Sequence, residues 1–394
     1  MVSGNRQLKK IPIIVSSSNE FSIFIPVLLN SLKTNSNPDY HYEIYVLDSG
    51  IDQSSKTVIT AYVETLINFS IQYTDVSYYI EKYKHLWYVY DKFAVATYIR
   101  FFIPEIFSNL DKAIYLDLDI SVKGDISDLF NINIGENAVG AAVDGYYERQ
   151  TYYGEDGLLE YNKNIVCYPV DYKVFNAGVL IINLKKWREL NVTEMCINRL
   201  SEIKTPRILD QCILNSVLCK GLVYELPVEW NYQWHADIEN MAYPTTSQKM
   251  NEVIDSYRCA KSRIKIIHYT TCVKPWNIYA EPTALRNYPD LKEEFAPLWW
   301  EYAHHTPFYE KIILQNILTA NENAKKEILE FLHQSTGLHK NSKKLFTHFF
   351  KIKKNGEVKR FYLLGLRVGK SIKNSEYKAI YLFNILVYKK KIGS

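Results

Sequence analysis

The chain has 394 residues, 47% of them hydrophobic and 14% aromatic, which excludes a disordered or fibrous protein and suits one large domain with an appendage or two ordinary domains. Its net charge of +4 conceals a division, because residues 338–394 carry 15 Lys and Arg against Glu357 and Glu376, a local +13, leaving −9 on the rest. An acidic body with a basic tail points to an anionic partner for the tail, membrane headgroups or nucleic acid.

In chain order, the β-branched run "IPIIVS" (11–16) predicts a strand, "IFIPVLLNSLKTN" (23–35) a helix with apolar residues every three to four positions, and "YEIYVLDSG" (42–50) a second strand. Strand, loop, helix and strand begin a parallel α/β sheet, in which ligands gather at the carboxyl ends of strands. A strand is expected at "SIQYTDV" (70–76) and a helix near "VATYIRFFIPEIF" (95–107). Buried strands follow at "KAIYLDLDI" (112–120) and "AVGAAVD" (138–144), and "FNAGVLIINLKKWREL" (175–190) runs from strand into helix. "RILDQCILNSVLC" (207–219) reads as helix, "KGLVYELP" (220–227) as extended, and "IKIIHYT" (264–270) as a last strand. Residues 281–337 read as amphipathic helices, including "EEFAPLWWEYA" and "PFYEKIILQNIL". In the tail, "RFYLLGLRV" (360–368) and "AIYLFNILV" (379–387) align at an offset of 19, which predicts a β-hairpin or two small strands.

The six cysteines (167, 196, 212, 219, 259 and 272) show neither C-x-x-C spacing nor scaffold density, so they read as reduced core thiols of a cytoplasmic protein. The apolar segment of "MVSGNRQLKKIPIIV" is too short for a signal peptide, and the chain holds no uncharged apolar run of 18 residues. The expectation is a chain that neither crosses a membrane nor is secreted.

The chemistry centres on "AIYLDLDISVKGDISDLF" (113–130), where Asp117 and Asp119 stand one residue apart at the end of an apolar run. A bend at a strand end aims both carboxylates into one pocket, where they repel unless a cation or proton compensates them. Mg²⁺ or Mn²⁺ does so with oxygen ligands and positions left open for phosphates. Taken alone, the pair is a weak signal, and a solvated loop is its commoner reading.

Five ordered blocks carry a resemblance: "IVSSSNEF" with "NSLKTNS", "ATYIRFFIPEIF", "YLDLDISVKGDISDLF", "FNAGVLIINLKKWR" and "HYTTCVKPW". Over residues 10–280, and weakly on through "LWWEYAHHTPFYE", the chain resembles glycosyltransferase family 8. These are retaining, metal-dependent GT-A enzymes that include lipooligosaccharide galactosyltransferases and lipopolysaccharide glucosyltransferases. The likeness implies an α/β fold, a GT-A Rossmann-like mixed sheet flanked by helices, with a helical and basic C-terminal extension. The expected domains are 1–280 (catalytic), 281–337 (helical) and 338–394 (basic, aromatic and suited to a membrane surface).

By the same likeness, Asp117, Asp119 and His268 ligate Mn²⁺ or Mg²⁺, with Leu118 between the carboxylates at the donor. Lys274 contacts the diphosphate of a UDP-sugar, and Arg100 reaches the donor sugar and metal site. Asp144, Asp210 and Gln211 flank the anomeric carbon, and Asn176 and Ala177 bind the hexose. Ser16, Ser18, Asn19 and Phe21 face the uridine, although "SSNEF" stands where the family commonly has "ADDNY", and Thr271 where it often has glycine. Each has a plainer alternative: a helix or turn cap for the Asp and Asn residues, structural pairing with an aspartate for Arg100, a solvated loop for Lys274.

The function implied is retaining transfer of glucose or galactose from a UDP-sugar to a cell-surface glycan, glycolipid or glycoprotein. The competing readings are an inverting GT-A transferase and a degenerate sugar-binding or scaffold protein. The tail is expected to hold the enzyme at the inner face of a bacterial plasma membrane, and no nucleic-acid motif accompanies its charge.

Overall fold

The computed structural model describes residues 8–89, 95–235, 238, 241–270, 274–277 and 291–319, together with the backbone of strands between residues 350 and 391. The chain divides into two compact units, Met1–Ala320 and Asn321–Ser394.

In the first unit, β1 (Lys9–Ser17), β2 (Tyr40–Asp48) and β3 (Phe69–Asp75) pair in parallel, and β4 (Lys112–Leu116) lies parallel on the other side of β1. β5 (Ile120–Val122) leaves this layer after a short link. β6 (Val139–Val143), β7 (Phe175–Asn183) and β8 (Val223–Glu225) complete a seven-stranded mixed sheet in the order β3-β2-β1-β4-β7-β6-β8. Its one reversed strand is β7, antiparallel to both β4 and β6. Burial on both faces explains why "VLII" is a continuous apolar run, and each of Val179, Leu180, Ile181 and Ile182 contributes about 1.5–3 kcal/mol by leaving water.

A second, three-stranded sheet sets β10 (Ile266–His268) between β5, antiparallel, and β9 (Tyr232–Gln233), parallel. "IKIIHYT" is thus a strand as expected, but it belongs to this smaller layer. Its register places His268 opposite Ile120, one residue from Asp119.

The expected helix over 95–107 is instead a 3-10 segment, Val95–Phe102, followed by one short helical turn, Ile103–Ile106. Pro104 supplies the reason: its ring disfavours a continuous α-helix through the preceding residues, and it sits comfortably only at a helix start. The helix Gln53–Glu64 escapes the sequence pattern because it buries only Ser55, Ile59 and Val63; its start is secured by Asp52, which accepts from Ser55 N–H at 2.7 Å. "LWWEYA" and "YEKIILQNIL" are helical, and Asn30 Nδ2 donates at 2.8 Å to the carbonyl of Tyr302 in the first of them.

All five described cysteines are free, but only Cys196 and Cys212 are buried. Cys167 and Cys259 are exposed, which corrects the core reading: Cys167 follows a helical turn with φ of 59°, and Cys259 lies on the outer face of the helix Gln248–Ala260. Cys272 and Thr271 lie outside the described residues. Among the described residues no helix is long and apolar enough to cross a membrane.

The second unit contains an antiparallel meander, β11 (Phe350–Asn355), β12 (Val358–Leu363), β13 (Leu366–Lys373), β14 (Tyr377–Leu382) and β15 (Ile385–Lys391). These are more strands than expected. Each copy of the 19-residue repeat spans one hairpin, β12–β13 or β14–β15, and the ladder slips at equivalent places, Phe361/Tyr362 and Ile380/Tyr381.

Candidate active site

The site forms where β4 ends. The register Ile14↔Tyr115 brings the ends of β1 and β4 to one edge, and the Asp117 N–H donates to the Gly178 carbonyl of β7 at 2.8 Å. In the link from β4 to β5, Leu118 turns into the core while Asp117 and Asp119 stay half-buried on the other side. The Tyr269 N–H donates to the Asp119 carbonyl at 2.8 Å and ties the second sheet to this turn.

Three donors converge here. His268 Nε2 lies 3.2 Å from Asp119 Oδ1 and 3.9 Å from Asp117 Oδ2, and one donor atom from each of the three residues falls within 4.8 Å of the others. Gly178 makes room for the ring, since a Cβ there would lie 2.2 Å from His268 Cε1 and 2.8 Å from Asp117 Oδ2. Lys274 Nζ donates to Asp119 Oδ2 and to the Tyr269 carbonyl, both at 2.5 Å. Its loop is anchored by Trp276, whose ring stacks on Phe24 at 4.1 Å. Burial pushes the Asp119 carboxyl up, but the Lys274 ammonium beside it overcomes this and helps hold it well below the usual carboxylate range.

Arg100 closes the other side. Nη2 donates to Asp117 Oδ1 at 3.1 Å, Nη1 to the Ala177 carbonyl at 2.5 Å and Nε to the Thr97 carbonyl at 3.1 Å. The guanidinium also lies over the Tyr115 ring, whose hydroxyl donates to Asp117 Oδ1 at 2.9 Å. Asp210 accepts from Thr97 Oγ1 at 2.7 Å, and its Oδ2 sits 2.9 Å from Arg100 Nε without receiving that N–H. Burial pushes the Asp210 carboxyl up, and Arg100 only moderates the shift. The pairing of Arg100 with aspartate is therefore real, and it coexists with a place in the site.

Next to the triad, Asp144 both caps and binds. Its Oδ1 accepts the Tyr147 N–H at 2.9 Å at the start of the helix Gly145–Tyr153, and its Oδ2 accepts from Gln211 Nε2 at 2.8 Å and Asn176 Nδ2 at 3.1 Å. Gln211 Oε1 accepts the Ala177 N–H at 3.0 Å. Asn231, which the sequence does not single out, joins the two groups by donating to Asn176 Oδ1 at 2.9 Å and facing His268 Nδ1 at 2.9 Å. Gly178, Tyr115 and Thr97 are likewise missed, since the contacts that place them in the site form only in the fold.

The expected nucleoside loop follows β1. Ser16 Oγ donates to the Ala96 carbonyl at 3.2 Å, Asn19 Oδ1 accepts the Asp52 N–H at 3.0 Å, and Ser18 is half-buried. Phe21 is half-buried with its ring 6.2 Å from that of Phe24, so this loop and the Lys274 loop share one aromatic anchor.

This chain, with β7 reversed in its mixed sheet, acids at the end of β4 and an imidazole returning from a second sheet, is by its family match a sugar-nucleotide-dependent glycosyltransferase. The chain belongs to glycosyl transferase family 8, whose model matches residues 12–280. It is 26% identical over 312 residues to a putative glycosyltransferase of Haemophilus influenzae, covering 76% of this chain and 85% of the relative. It is 28% identical over 241 residues to lipopolysaccharide 1,2-glucosyltransferase of Escherichia coli, covering 60% of this chain and 59% of that one. The solved structure of the galactosyltransferase LgtC with donor and acceptor sugar analogues has a TM-score of 0.61 at 24% identity, covering 75% of this chain and 96% of that one, a likeness of fold.

Proposed function

We propose that this enzyme moves glucose or galactose from a UDP-sugar to a hydroxyl of a cell-surface glycan, glycolipid or glycoprotein, using Mn²⁺ or Mg²⁺ held by Asp117, Asp119 and His268. The observation that carries the reading is the meeting of these three residues from separate strands beside the Lys274 ammonium. Two carboxylates and an imidazole suit Mn²⁺ better than Mg²⁺. When bound, the cation neutralises charge on the departing diphosphate.

The remaining work falls to the chain. Lys274 adds positive charge toward the diphosphate, and Arg100 fixes Asp117. Phe21 offers a ring for uracil, with Ser16, Ser18 and Asn19 along its polar edge, while Leu118 and Ala177 contribute backbone. Asn176, Asp144, Asp210 and Gln211 surround the hexose. Both Asp144 oxygens already accept hydrogen bonds and Gln211 is a neutral amide, so neither is a strong nucleophile. This favours attack by the acceptor hydroxyl on the face the diphosphate leaves, with a diphosphate oxygen taking the hydroxyl proton. A glycosyl-enzyme adduct trapped on Asp144 or Asp210 would overturn it.

The main test incubates the protein with UDP-glucose or UDP-galactose and Mn²⁺. UDP release should fall by about 10²–10³-fold in Asp119→Ala. Absence of release from either donor with either metal rejects the reading, and an inverted product by NMR rejects retention.

The basic unit has its own role in this proposal, attachment to an anionic membrane surface that keeps a cytoplasmic enzyme beside its acceptor. Backbone register supports it by setting Lys353 opposite Arg360, Arg360 opposite Lys370, Lys354 opposite Lys359 and Lys378 opposite both Lys373 and Lys390. Cations gathered at such register positions gain about 1 kcal/mol each near an anionic surface. Full chain should sediment with phosphatidylglycerol vesicles, and chain cut after residue 337 should not. Equal sedimentation of both refutes the role.

A further inference from the structure

We infer that Asn231 is a positioning residue that sets the tautomer of His268, and that the instruction originates at Asp144 and Gly178. The inference rests on the metal-dependent reading above and deepens it. A side-chain amide can be turned end for end, so its orientation is settled only by neighbours whose roles cannot be exchanged. Two such neighbours bound Asn176. The Gly178 backbone N–H can only donate, and it lies 2.9 Å from Asn176 Oδ1; the Asp144 carboxylate accepts from Asn176 Nδ2 at 3.1 Å. Asn176 is therefore oriented from both ends.

The rest follows in sequence. Asn176 Oδ1 faces Asn231 at 2.9 Å, so Asn231 must present Nδ2 there. Its Oδ1 is left toward His268 Nδ1 at 2.9 Å, and an amide oxygen accepts only. Nδ1 consequently carries the proton, and the neutral ring turns the Nε2 lone pair toward Asp119 Oδ1 and Asp117 Oδ2. A lone pair facing two carboxylates is repulsive, and a divalent cation among the three converts each contact to attraction. Asn176, Asn231 and His268 are 6%, 1% and 3% exposed, which keeps water from substituting for any link. Asn231 precedes β9, whose parallel pairing with β10 (Ile267↔Tyr232) places it at this distance from His268. Residues assigned to the hexose and those assigned to the cation thus form one polarised chain of hydrogen bonds.

The test has a readout that needs no metal. Full-length protein labelled with ¹⁵N-histidine, metal-free at pH about 8.5 where an ordinary imidazole is neutral, reports the tautomer through its ring-nitrogen shifts, with His268 assigned by its absence in His268→Gln. Wild type and Asn231→Asp, which keeps the accepting oxygen, should show Nδ1–H; Asn231→Leu should show mixed or Nε2–H signals. Calorimetric Mn²⁺ affinity without donor should fall about 10–100-fold in Asn231→Leu and by less than about threefold in Asn231→Asp. An Nε2–H tautomer in wild type, which requires no variant to fold, overturns the inference, as does equal loss of affinity in the two variants. Wild type that shows Nδ1–H and binds no Mn²⁺ supports the relay and overturns the metal-dependent reading instead.

Discussion

The two sides of Asp117 treat a neighbouring acid in opposite ways. Asp210, its side chain 6% exposed, faces the Arg100 guanidinium, whereas Asp119, 20% exposed, faces the Lys274 ammonium and the His268 ring. Burial raises both carboxyls. It prevails at Asp210, because Arg100 divides its charge with Asp117 and directs its Nε–H to the Thr97 carbonyl. It loses at Asp119, where the Lys274 ammonium donates directly to the carboxylate. Depth and donor geometry decide which effect wins. A cation cradle requires an acid that remains ionised; a clamp that only orients Asp117 does not.

The largest expected effect comes from removing the clamp. Arg100→Met leaves Asp117 and Asp210 without their shared counter-charge and should cost about 3–5 kcal/mol in urea unfolding. A loss below about 1 kcal/mol would show that Asp210 sits neutral and needs no partner. On the cradle side, Gly178→Ala puts a methyl 2.2 Å from His268 Cε1 and forces the ring to move. Displacement of this order should lower kcat/KM by about 10²-fold, with weaker Mn²⁺ binding and a smaller change in Tm. If Tm falls and Mn²⁺ affinity does not, the glycine serves packing alone.

Much of this contrast is legible in the amino-acid sequence, for reasons that differ by residue. Asp117 and Asp119 announce themselves because charge at the end of a buried run is costly without a purpose. His268 and Lys274 are silent by composition and speak only through the ordered family blocks. Asn231 gives no local signal, since its two partners lie 37 and 55 residues away and a lone Asn reads as a turn. Tyr115 looks like another apolar strand residue until Arg100 packs on its ring. In the fold, the buried strands of the first unit are plain from their apolar runs. The helix Gln53–Glu64 is not, because three buried positions leave almost no stripe to detect. The tail repeat is visible as a 19-residue offset, but repetition alone does not say that one copy equals one hairpin; pairing register does.

Smaller effects sharpen the same contrast. Lys274→Met keeps the stem and removes the charge from a partly exposed pair, so unfolding stability should move by about 1 kcal/mol or less. Loss of the proposed charge-assisted contact to the diphosphate should lower kcat about tenfold. A variant with unchanged kcat would confine Lys274 to neutralising Asp119.

The smallest effect concerns a third acid that extends the comparison in depth. Glu148 is 2% exposed; its Oε1 accepts the Val174 N–H at 2.7 Å and its Oε2 lies 2.7 Å from Lys249 Nζ. Burial still pushes its carboxyl up against the pull of Lys249. For an acid with a raised folded value, the unfolded chain releases its proton first, so stability is highest below the unfolded value of about 4.3 and falls as pH rises through the folded value. Glu148→Gln cannot ionise and lacks that fall. The Tm of the variant minus that of wild type should therefore increase between about pH 4 and about pH 7. A flat or decreasing difference would mean that one well-placed lysine overcomes burial even at this depth, and the contrast between Asp210 and Asp119 would then rest on the undonated Asp210 oxygen alone.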